Sequence, residues 1–522
     1  MMILLVVAVL SSADITVTLD EPLHYHYGLF VLDGGTDRID DSSMPVSALN
    51  ALPSYIGTFL PNGFLRNLLS RYFLARLVTI IFAVSFTGVV FRWSRALYGV
   101  VPAAITTLLY VLDPNIIANS QLVTTDVFAV GMMTLSFYWL WRFANSGRIA
   151  DGVTCAVVVG LSQLVKYSAV ALLPLGLAAL LLHDLPGLRQ AYGERGLPAI
   201  ARYAGRVAIY LLVTGVIAVA IINVGFLMNR TFTPLKDYRF RSELFRNFQS
   251  RLSLIGMVPV PVPYPYLEGL DWMRETEQTA DRYGNIYLLG HVSKPKGFAG
   301  YYFVASALKV PVSGQIIILL ALSVYALDRQ RRARFLRDEV FLLLPVAAFT
   351  LYFDFFFNAQ TGLRYYLVVF PLLYVFAGNL FRYWRGLSVW GRASALVLVI
   401  YLAVAVLSYF PYFTPYFNEL VWDKTQTYKF LSDTNLEWGQ SQNDLQRYLA
   451  DHPDTIYKPT RIEPGRLAVS GSDLVGILED PGRYAWLREN FEPAETIAYC
   501  YFVYVISPQE IEQMCSRPDK CR

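Results

Sequence analysis

The sequence predicts an α-helical polytopic membrane protein with about eleven transmembrane helices and a small extracytoplasmic α/β domain at its C-terminal end. Of its 522 residues, 55% are hydrophobic and only 16% are charged, whereas soluble domains carry about 25% charged residues. Apolar runs long enough to cross about 30 Å of hydrocarbon recur along the chain. The net charge of +4 is small, and the absence of a concentrated basic face argues against nucleic-acid binding.

The predicted spans are apolar runs bounded by polar or proline-containing segments. The first run is interpreted as a helix rather than a signal peptide, because it has neither a basic n-region nor a clear small-residue cleavage site. The spans are placed at 1–18, 73–91, 97–113, 124–142, 151–165, 168–183, 206–226, 311–327, 338–356, 364–381 and 393–410.

Arginines indicate the orientation of these spans. Five alternate loops contain 16 arginines, whereas the short loop 113–123 contains none. The positive-inside rule places the arginine-rich loops in the cytoplasm. The N-terminus is then expected inside, and segments 19–72, 113–123, 227–310 and 411–522 are expected outside.

The outer segments suggest two domains. We predict a transmembrane domain, 1–410, that carries the outer loops 19–72 and 227–310, and a C-terminal extracytoplasmic domain, 411–522. The run "PVPVPYPYLEGLDW" in the second loop excludes a transmembrane helix and indicates a loop with short interfacial elements. In the tail, "NDLQRYLADH" predicts a helix, and "GRLAVSG" and "TIAYCYFVYVIS" predict strands.

Charged side chains collect near the outer face of the predicted bundle. Such groups inside or beside a span are costly and are functional candidates by default. Carboxylates and cations that share one face predict a site that handles an anionic head group and moves a proton. The residues are Asp20, Glu21, Asp126, Lys166, Lys309, Asp354 and Arg364.

Each of these residues also has a structural interpretation. Asp126 is equally suited to cap its helix, and snorkelling to the interface is the favoured interpretation of Lys166 and an alternative for Lys309. Arg364 could serve only as the structural ion-pair partner of Asp354. The histidines that follow the first span, in "DEPLHYHYG", are more often interfacial residues than metal ligands. Only the convergence of the charged groups favours a site.

Five motifs occur in order between residues 20 and 445: "DEPLHYHYG", "LVTTD", "GFAGYYFVASALKVP", "TGLRYYLVVFP" and "YFNELVWDKTQTYKFLSDTNLEWGQSQNDL". Each motif is weak alone. Together they resemble the C-type (GT-C) glycosyltransferases of the bacterial protein O-mannosyltransferase-like group, which is related to the lipid A aminoarabinose transferases. A position in the cytoplasmic (inner) membrane of a prokaryote is therefore expected.

The resemblance implies a polyprenyl-phosphate-linked sugar donor, a hydroxyl acceptor on protein, lipid or glycan, and inverting transfer outside the cytoplasm. It assigns the catalytic acid pair to Asp20 and Glu21, with Asp20 as the general base. A carboxylate within about 3 Å of a hydroxyl can take its proton. The substrate-binding positions that it implies are Asp126, Lys309, Arg364 and Tyr365, with Lys309 and Arg364 on the phosphate, where a guanidinium can bind two oxygens.

One departure from the family pattern concerns metal dependence. Relatives usually have "EHPPL" after the acid pair, whereas this chain has "DSSMPVSALNALP", with Ser42 and Ser43 where Glu and His would stand. No metal ligand is assigned, no cofactor is firmly expected, and a divalent metal is doubtful. The departure keeps open a catalytically silent subunit that binds lipid or protein partners. A transporter is disfavoured, because transporters place their sites near the midplane.

Three cysteines, Cys500, Cys515 and Cys521, lie in the tail. Disulfides persist outside the cytoplasm, and the "SRPDK" turn favours a Cys515–Cys521 bridge, with Cys500–Cys515 as the alternative. Cys500 lies in an apolar run, where a free thiol behaves as a small hydrophobe.

Overall fold

The computed structural model describes residues 1–279 and 283–516, and most of this chain is α-helical. The N-terminal helix and three short helices precede the long apolar ones. The helices up to the end of the first bundle are α1 Met2–Asp14, α2 Glu21–Leu32, α3 Ser47–Thr58, α4 Phe64–Leu69, α5 Tyr72–Tyr98, α6 Val100–Val111, α7 Pro114–Ser120, α8 Asp126–Ser146, α9 Ile149–Ser162, α10 Leu172–Arg195 and α11 Leu197–Gly225.

The second half begins with an outer segment of short elements and returns to apolar helices. Its elements are α12 Glu243–Arg251, α13 Tyr264–Thr279, β1 Ile286–Leu288, β2 His291–Ser293, α14 Tyr301–Lys309, α15 Val312–Leu327, α16 Arg329–Arg332, α17 Val340–Phe355, α18 Val369–Ala377 and α19 Val389–Leu407. The proline-rich run therefore leads into the 16-residue helix α13, a longer helix than the short interfacial elements predicted for this loop.

The apolar helices confirm a polytopic membrane protein. Within the described residues, five helices are long and apolar enough to cross a membrane, or up to seven if each bent pair counts as one span. Four shorter apolar helices accompany them, so the predicted count of eleven is not confirmed. The bent pairs are α6 with α7, at 62°, and α14 with α15, at 117°. At the first bend, the Asp113 side chain accepts hydrogen bonds from the backbone of Asn115 and Ile116.

The tail contains a small sheet with helices around it, as predicted. Strand order is β3-β4-β6-β5; β3 pairs parallel with β4, and the other two pairings are antiparallel. The predicted helix and the "GRLAVSG" strand are present. "TIAYCYFVYVIS" forms two strands rather than one, because Ala498 and Tyr499 turn the chain with positive φ. The elements are α20 Gln442–Asp451, β3 Thr455–Tyr457, β4 Gly465–Ser470, α21 Gly471–Val475, α22 Ala485–Asn490, β5 Glu495–Ile497, β6 Tyr501–Ile506 and α23 Pro508–Cys515.

The tail cysteines differ in state. Cys500 is a buried free thiol in the apolar core of the sheet, whereas Cys515 is disulfide-bonded. The predicted Cys515–Cys521 pairing involves Cys521, which lies outside the described residues.

Candidate active site

The site is a cavity of about 660 Å³ between the apolar helices and the tail. Its charged lining comes from the loop before α2, from α2 and the segment that follows it, from the start of α8, from the segments between α9 and α10 and after α17, and from the tail. Its apolar lining comes mainly from α10 and α17. The titratable groups include Asp20, His24, Asp40, Asp41, Asp126, Lys166, Arg364, Tyr365, Asp433 and Glu437. The apolar groups include Val170, Ala171, Pro174, Leu175, Met273, Ala348, Phe349, Phe353 and Phe357.

An ion pair between Asp20 and Arg364 lies at the charged end of the cavity. Asp20 immediately precedes α2, and Arg364 lies on a single 3₁₀ turn, Leu363–Tyr366. Arg364 Nη1 donates to Asp20 Oδ2 at 2.6 Å. The Asp20 side chain is 30% exposed and that of Arg364 is 11% exposed. The carboxylate therefore keeps an open side toward the cavity while the guanidinium fixes it in place.

Asp126 and Lys166 extend this pair into a row of alternating charges. Lys166 Nζ donates to Asp126, so the prediction that Lys166 only snorkels to the interface is wrong, and Lys166 belongs to the site. Asp126 Oδ2 lies 4.0 Å from Arg364 Nη1. The Tyr365 ring packs against both cations, 4.6 Å from Lys166 Nζ and 5.1 Å from the Arg364 guanidinium carbon. Such cation–π contacts stabilise a desolvated cation.

Asp354 does not pair with Arg364. Its Oδ1 accepts hydrogen bonds from the backbone N–H groups of Tyr302 and Phe303, which belong to the first turn of α14. Asp354 therefore satisfies the N-terminal donors of that helix. The purely structural Asp354–Arg364 pairing considered above is wrong, and the partner of Arg364 is Asp20.

Glu21 is not a lining residue of the cavity. Its carboxylate is buried and forms a two-point ion pair with Arg76, whose Nε and Nη2 donate at 2.8 and 2.7 Å. The backbone N–H groups of Thr18 and Val123 donate to the same carboxylate. With its oxygens occupied in this way, Glu21 connects the loop before α2 to α5 and to the "LVTTD" turn. The structure gives it the contacts of a positioning residue.

We expect Glu21→Gln to destabilise the protein by about 3–5 kcal/mol, because removing one partner of a buried ion pair leaves the other charge uncompensated. Thermal unfolding in detergent measures this loss. The matched control is Asp37→Asn, which breaks an ion pair with Arg230 whose side chains are 51% and 65% exposed; exposed pairs contribute about 0–1 kcal/mol. Equal losses in the two variants would contradict the structural role of Glu21.

Lys309 lies outside the main cavity. Its ammonium donates to the backbone carbonyls of Thr414 and Asn435. A separate cavity of about 20 Å³, room for roughly one water molecule, is lined by both Lys309 and Arg364. The contacts tie the end of α14 to the tail, and the phosphate contact implied for Lys309 stays a prediction.

The tail segment 433–440 holds Asp20 and Arg364 together. The Trp438 indole stacks on the guanidinium of Arg364, 4.3 Å from the guanidinium carbon. The backbone carbonyl of Trp438 accepts a hydrogen bond from the backbone N–H of Leu19 at 3.1 Å. Asn435 Oδ1 accepts from the backbone N–H of Leu363 at 3.0 Å. One loop therefore contacts the residue immediately before each member of the Asp20–Arg364 pair.

Asp433 adds a second kind of carboxylate to the cavity. Its backbone is left-handed, with φ of 58°, a conformation that aspartate and asparagine tolerate better than most residues. Burial raises the pKa of Asp433 to about 7; Arg364 lowers it, and Asp20 and Glu437 raise it. Burial also raises the pKa of the Glu437 carboxyl. Burial therefore favours the protonated form of Asp433 much more than it would for a carboxyl in water.

We expect Asp433→Asn to gain stability relative to the unmodified protein as pH rises. A carboxyl whose folded pKa is about 7 and whose unfolded pKa is about 3.9 loses stabilisation as pH rises between these values. An asparagine does not titrate. Melting temperatures measured from pH 4 to 8 should show the difference growing up to about pH 7 and then levelling. A difference that does not vary with pH would contradict the raised pKa.

Ser42 and Ser43 form hydrogen bonds to Asp40. The two hydroxyls donate to Asp40 Oδ1 at 2.9 and 2.8 Å. Burial raises the pKa of Asp40, but these hydrogen bonds, the nearby His24 and the Ser42 backbone N–H together lower it below its usual value. Burial lowers the pKa of His24 despite the nearby Asp20. Among residues 1–279 and 283–516, no group of three or more His, Cys, Asp and Glu side chains is arranged to hold a metal ion.

Sequence reasoning missed Arg76, Asn435, Trp438 and Asp433 as contributors to the site. Arg76 had a usable signal, because an arginine within the apolar run "YFLARLVTIIFAV" requires a partner. The other three lie within the last of the five motifs, whose contacts with residues 361–364 only the folded chain shows.

Part of the chain matches a family model. The model described as Dolichyl-phosphate-mannose-protein mannosyltransferase matches residues 64–192, a segment that contains Asp126 and Lys166. The predicted resemblance to the mannosyltransferase-like group is confirmed over this segment. No curated protein matches the chain.

Two solved structures align along almost the whole chain. ArnT from Cupriavidus metallidurans bound to undecaprenyl phosphate is 13% identical, with 98% of this chain and 97% of that chain covered, at a TM-score of 0.33. The apo state of ArnT from the same organism is 14% identical, with 96% of each chain covered, at a TM-score of 0.31.

Proposed function

We propose that this protein is a membrane glycosyltransferase that moves a sugar from a polyprenyl-phosphate carrier to a hydroxyl acceptor. The observation that carries the proposal is the cavity itself, in which an apolar groove leads to a guanidinium flanked by two carboxylates. The arginine distribution supports a reaction on the extracytoplasmic face of the cytoplasmic membrane of a prokaryote, with the N-terminus inside and the tail outside.

The donor fits the cavity as an anionic lipid. Its isoprenyl chain would lie along the groove between α10 and α17, whose lining includes Pro174, Leu175, Phe349 and Phe353. Its phosphate would bind at Arg364, with Lys166 beside it. Arg364 Nε has no hydrogen-bond partner among the described residues. The guanidinium carries five N–H donors in a fixed fork that suits phosphate oxygens.

Asp20 is suited to activate the acceptor. Its carboxylate would accept the proton of the acceptor hydroxyl as that oxygen attacks the anomeric carbon. The bond between that carbon and the phosphate oxygen breaks, and the electron pair leaves with the phosphate. The negative charge that develops on the phosphate faces Arg364. A preorganised cation stabilises such a charge most strongly in a site that excludes water. Asp126, which is itself paired with Lys166, lies 4.0 Å from the Arg364 guanidinium and helps to hold it in place.

The acceptor would enter from the side of the tail. The tail contributes Asp433, Glu437 and Ser472 to the lining there. Hydroxyl and carboxyl groups of this kind suit polar, hydroxyl-rich acceptors.

Incubation of the purified protein with polyprenyl-phosphate sugars tests the proposal, with donor loss and polyprenyl phosphate release scored by mass. Turnover that depends on an added acceptor supports a transferase. Saturable binding of the donor without turnover of any sugar would favour the silent lipid-binding subunit, for which the Ser42–Ser43 replacement is the motivating observation. Failure to bind any polyprenyl phosphate would contradict both functions.

A further inference from the structure

An unusual surface follows directly after α11. Residues 227–258, here termed the basic loop, connect this apolar helix to α13. Helix α11 exposes apolar side chains up to its last turn, where the Val224 side chain is 71% exposed. Successive helices from α8 to α11 run antiparallel to one another. The basic loop therefore begins at the same end of the bundle as Asp126, near the mouth of the cavity.

The basic loop exposes large apolar side chains instead of burying them. Leu254 is 99% exposed, the highest value among the exposed large apolar residues of the described chain. The others on this loop are between 50% and 70% exposed: Leu227, Met228, Phe232, Leu244, Phe248, Ile255, Met257 and Val258. Contiguous apolar surface of this kind with a polar rim marks an interaction site.

The short helix α12 has one packed face and one exposed apolar face. Phe245 and the following Leu252 pack against a small apolar cluster that includes Tyr238 and Tyr264, which fixes the loop to α13. Leu244 and Phe248, one turn apart, face away from this cluster and are exposed. The loop is therefore anchored to the protein on one side and offers apolar side chains on another.

Basic residues accompany the exposed apolar ones. The basic loop contains six cations, Arg230, Lys236, Arg239, Arg241, Arg246 and Arg251, and only two acids, Asp237 and Glu243. Amphipathic elements with cations beside apolar side chains lie in the membrane interface, where anionic head groups attract each cation.

We propose that the basic loop lies in the leaflet of the bilayer on the tail side, with Leu254 and its apolar neighbours among the acyl chains. Arg230 and Arg241 pair with Asp37 and Glu275, and the other four cations, Lys236, Arg239, Arg246 and Arg251, would lie at anionic head-group phosphates. Lipid is favoured over a protein partner because the surface continues the lipid-facing side chains of α11 without a break and matches the charge of anionic lipids. The loop is fixed to α13, which lines the cavity through Met273 and Glu277. Insertion of the basic loop would fix the depth of the cavity relative to the acyl chains. This inference does not depend on the proposed reaction.

Site-directed spin labelling of the full chain in vesicles tests the proposal. The labelled variants are Leu254→Cys and, as the matched control, Ser250→Cys, an exposed polar position on α12. Cys155 and Cys500 are buried, so the unsubstituted protein gives the labelling background. We expect the label at Leu254 to be accessible to oxygen, to exclude a water-soluble nickel complex, and to lie about 5–10 Å below the phosphates. The label at Ser250 should show the opposite preference.

Vesicles of phosphatidylcholine with and without phosphatidylglycerol test the electrostatic part. Charge reversal at Arg246 and Arg251 should make the depth of Leu254 insensitive to phosphatidylglycerol, whereas the parent labelled protein should insert more deeply with it. A Leu254 label that is equally open to nickel in both vesicles would overturn the proposal. A label shielded from both reagents would show that a protein surface, such as a second copy, covers the loop, and would also overturn it.

Discussion

Asp20→Asn is expected to lower the rate of sugar transfer by about 10²–10⁴-fold, the usual contribution of a positioned general base, while leaving donor binding largely intact. The amide keeps the shape of the side chain and can still contact Arg364, but it cannot accept the proton of the acceptor hydroxyl. Single-turnover rates at saturating donor, together with a separate donor binding isotherm, measure the two effects. The matched control is Asp33→Asn, an exposed aspartate at the other end of α2. Unchanged turnover in Asp20→Asn would show that Asp20 is not the base.

Arg364→Ala should show the converse pattern, with loss of donor affinity. Charge-assisted hydrogen bonds contribute about 1.5–3 kcal/mol, so the dissociation constant for a polyprenyl phosphate should rise roughly 10–100-fold. Arg364→Lys should recover only part of this, because an ammonium is a point charge without the planar fork of a guanidinium. Isothermal titration or native mass spectrometry gives the affinities.

Folding must be monitored in the Arg364 variants, because Trp438 packs on that side chain. The control is Arg461→Ala, a tail cation whose side chain is 79% exposed, which should leave donor affinity unchanged. Donor affinity that is equal in Arg364→Ala and the unmodified protein, at retained melting temperature, would remove Arg364 from the phosphate site.

The apolar helices could be predicted from the sequence because the bilayer imposes a simple rule of length and polarity. Each predicted span coincides with an apolar helix of the described structure, but four of these helices are too short to cross the membrane, and α6 and α15 are long enough only together with their bent neighbours. The criterion of length and polarity does not detect bends within an apolar run. The turns at Asp113 and at Pro311 split apolar runs into helices that meet at 62° and 117°, and hydropathy averages over them.

The site could be predicted in part. Asp20 and Arg364 are 344 positions apart in sequence, and only shared topology and the family resemblance connected them. The adjacent acids Asp20 and Glu21 are indistinguishable by composition, yet they have opposite environments. At the start of a helix, successive residues point about 100° apart, so one carboxylate faces the cavity and the other faces Arg76.

The cations were harder to assign for a similar reason. Lys166 and Lys309 are both lysines at the ends of apolar segments, where hydropathy alone gives them the same role. The structure separates them by their partners: a carboxylate and the Tyr365 ring for Lys166, and backbone carbonyls for Lys309. Partners contributed by distant segments, such as Thr414, carry no local sequence signal.

The central claim is that a polyprenyl phosphate binds with its phosphate at Arg364 and its chain between α10 and α17. A density map of the full chain with undecaprenyl phosphate in a lipid nanodisc tests it most directly. We expect the phosphate within about 3 Å of the Arg364 guanidinium, as a charge-assisted hydrogen bond requires, and isoprenyl density against Leu175 and Phe349. Lipid phosphate bound elsewhere, with the Asp20–Arg364 pair and the groove unchanged, would contradict the claim.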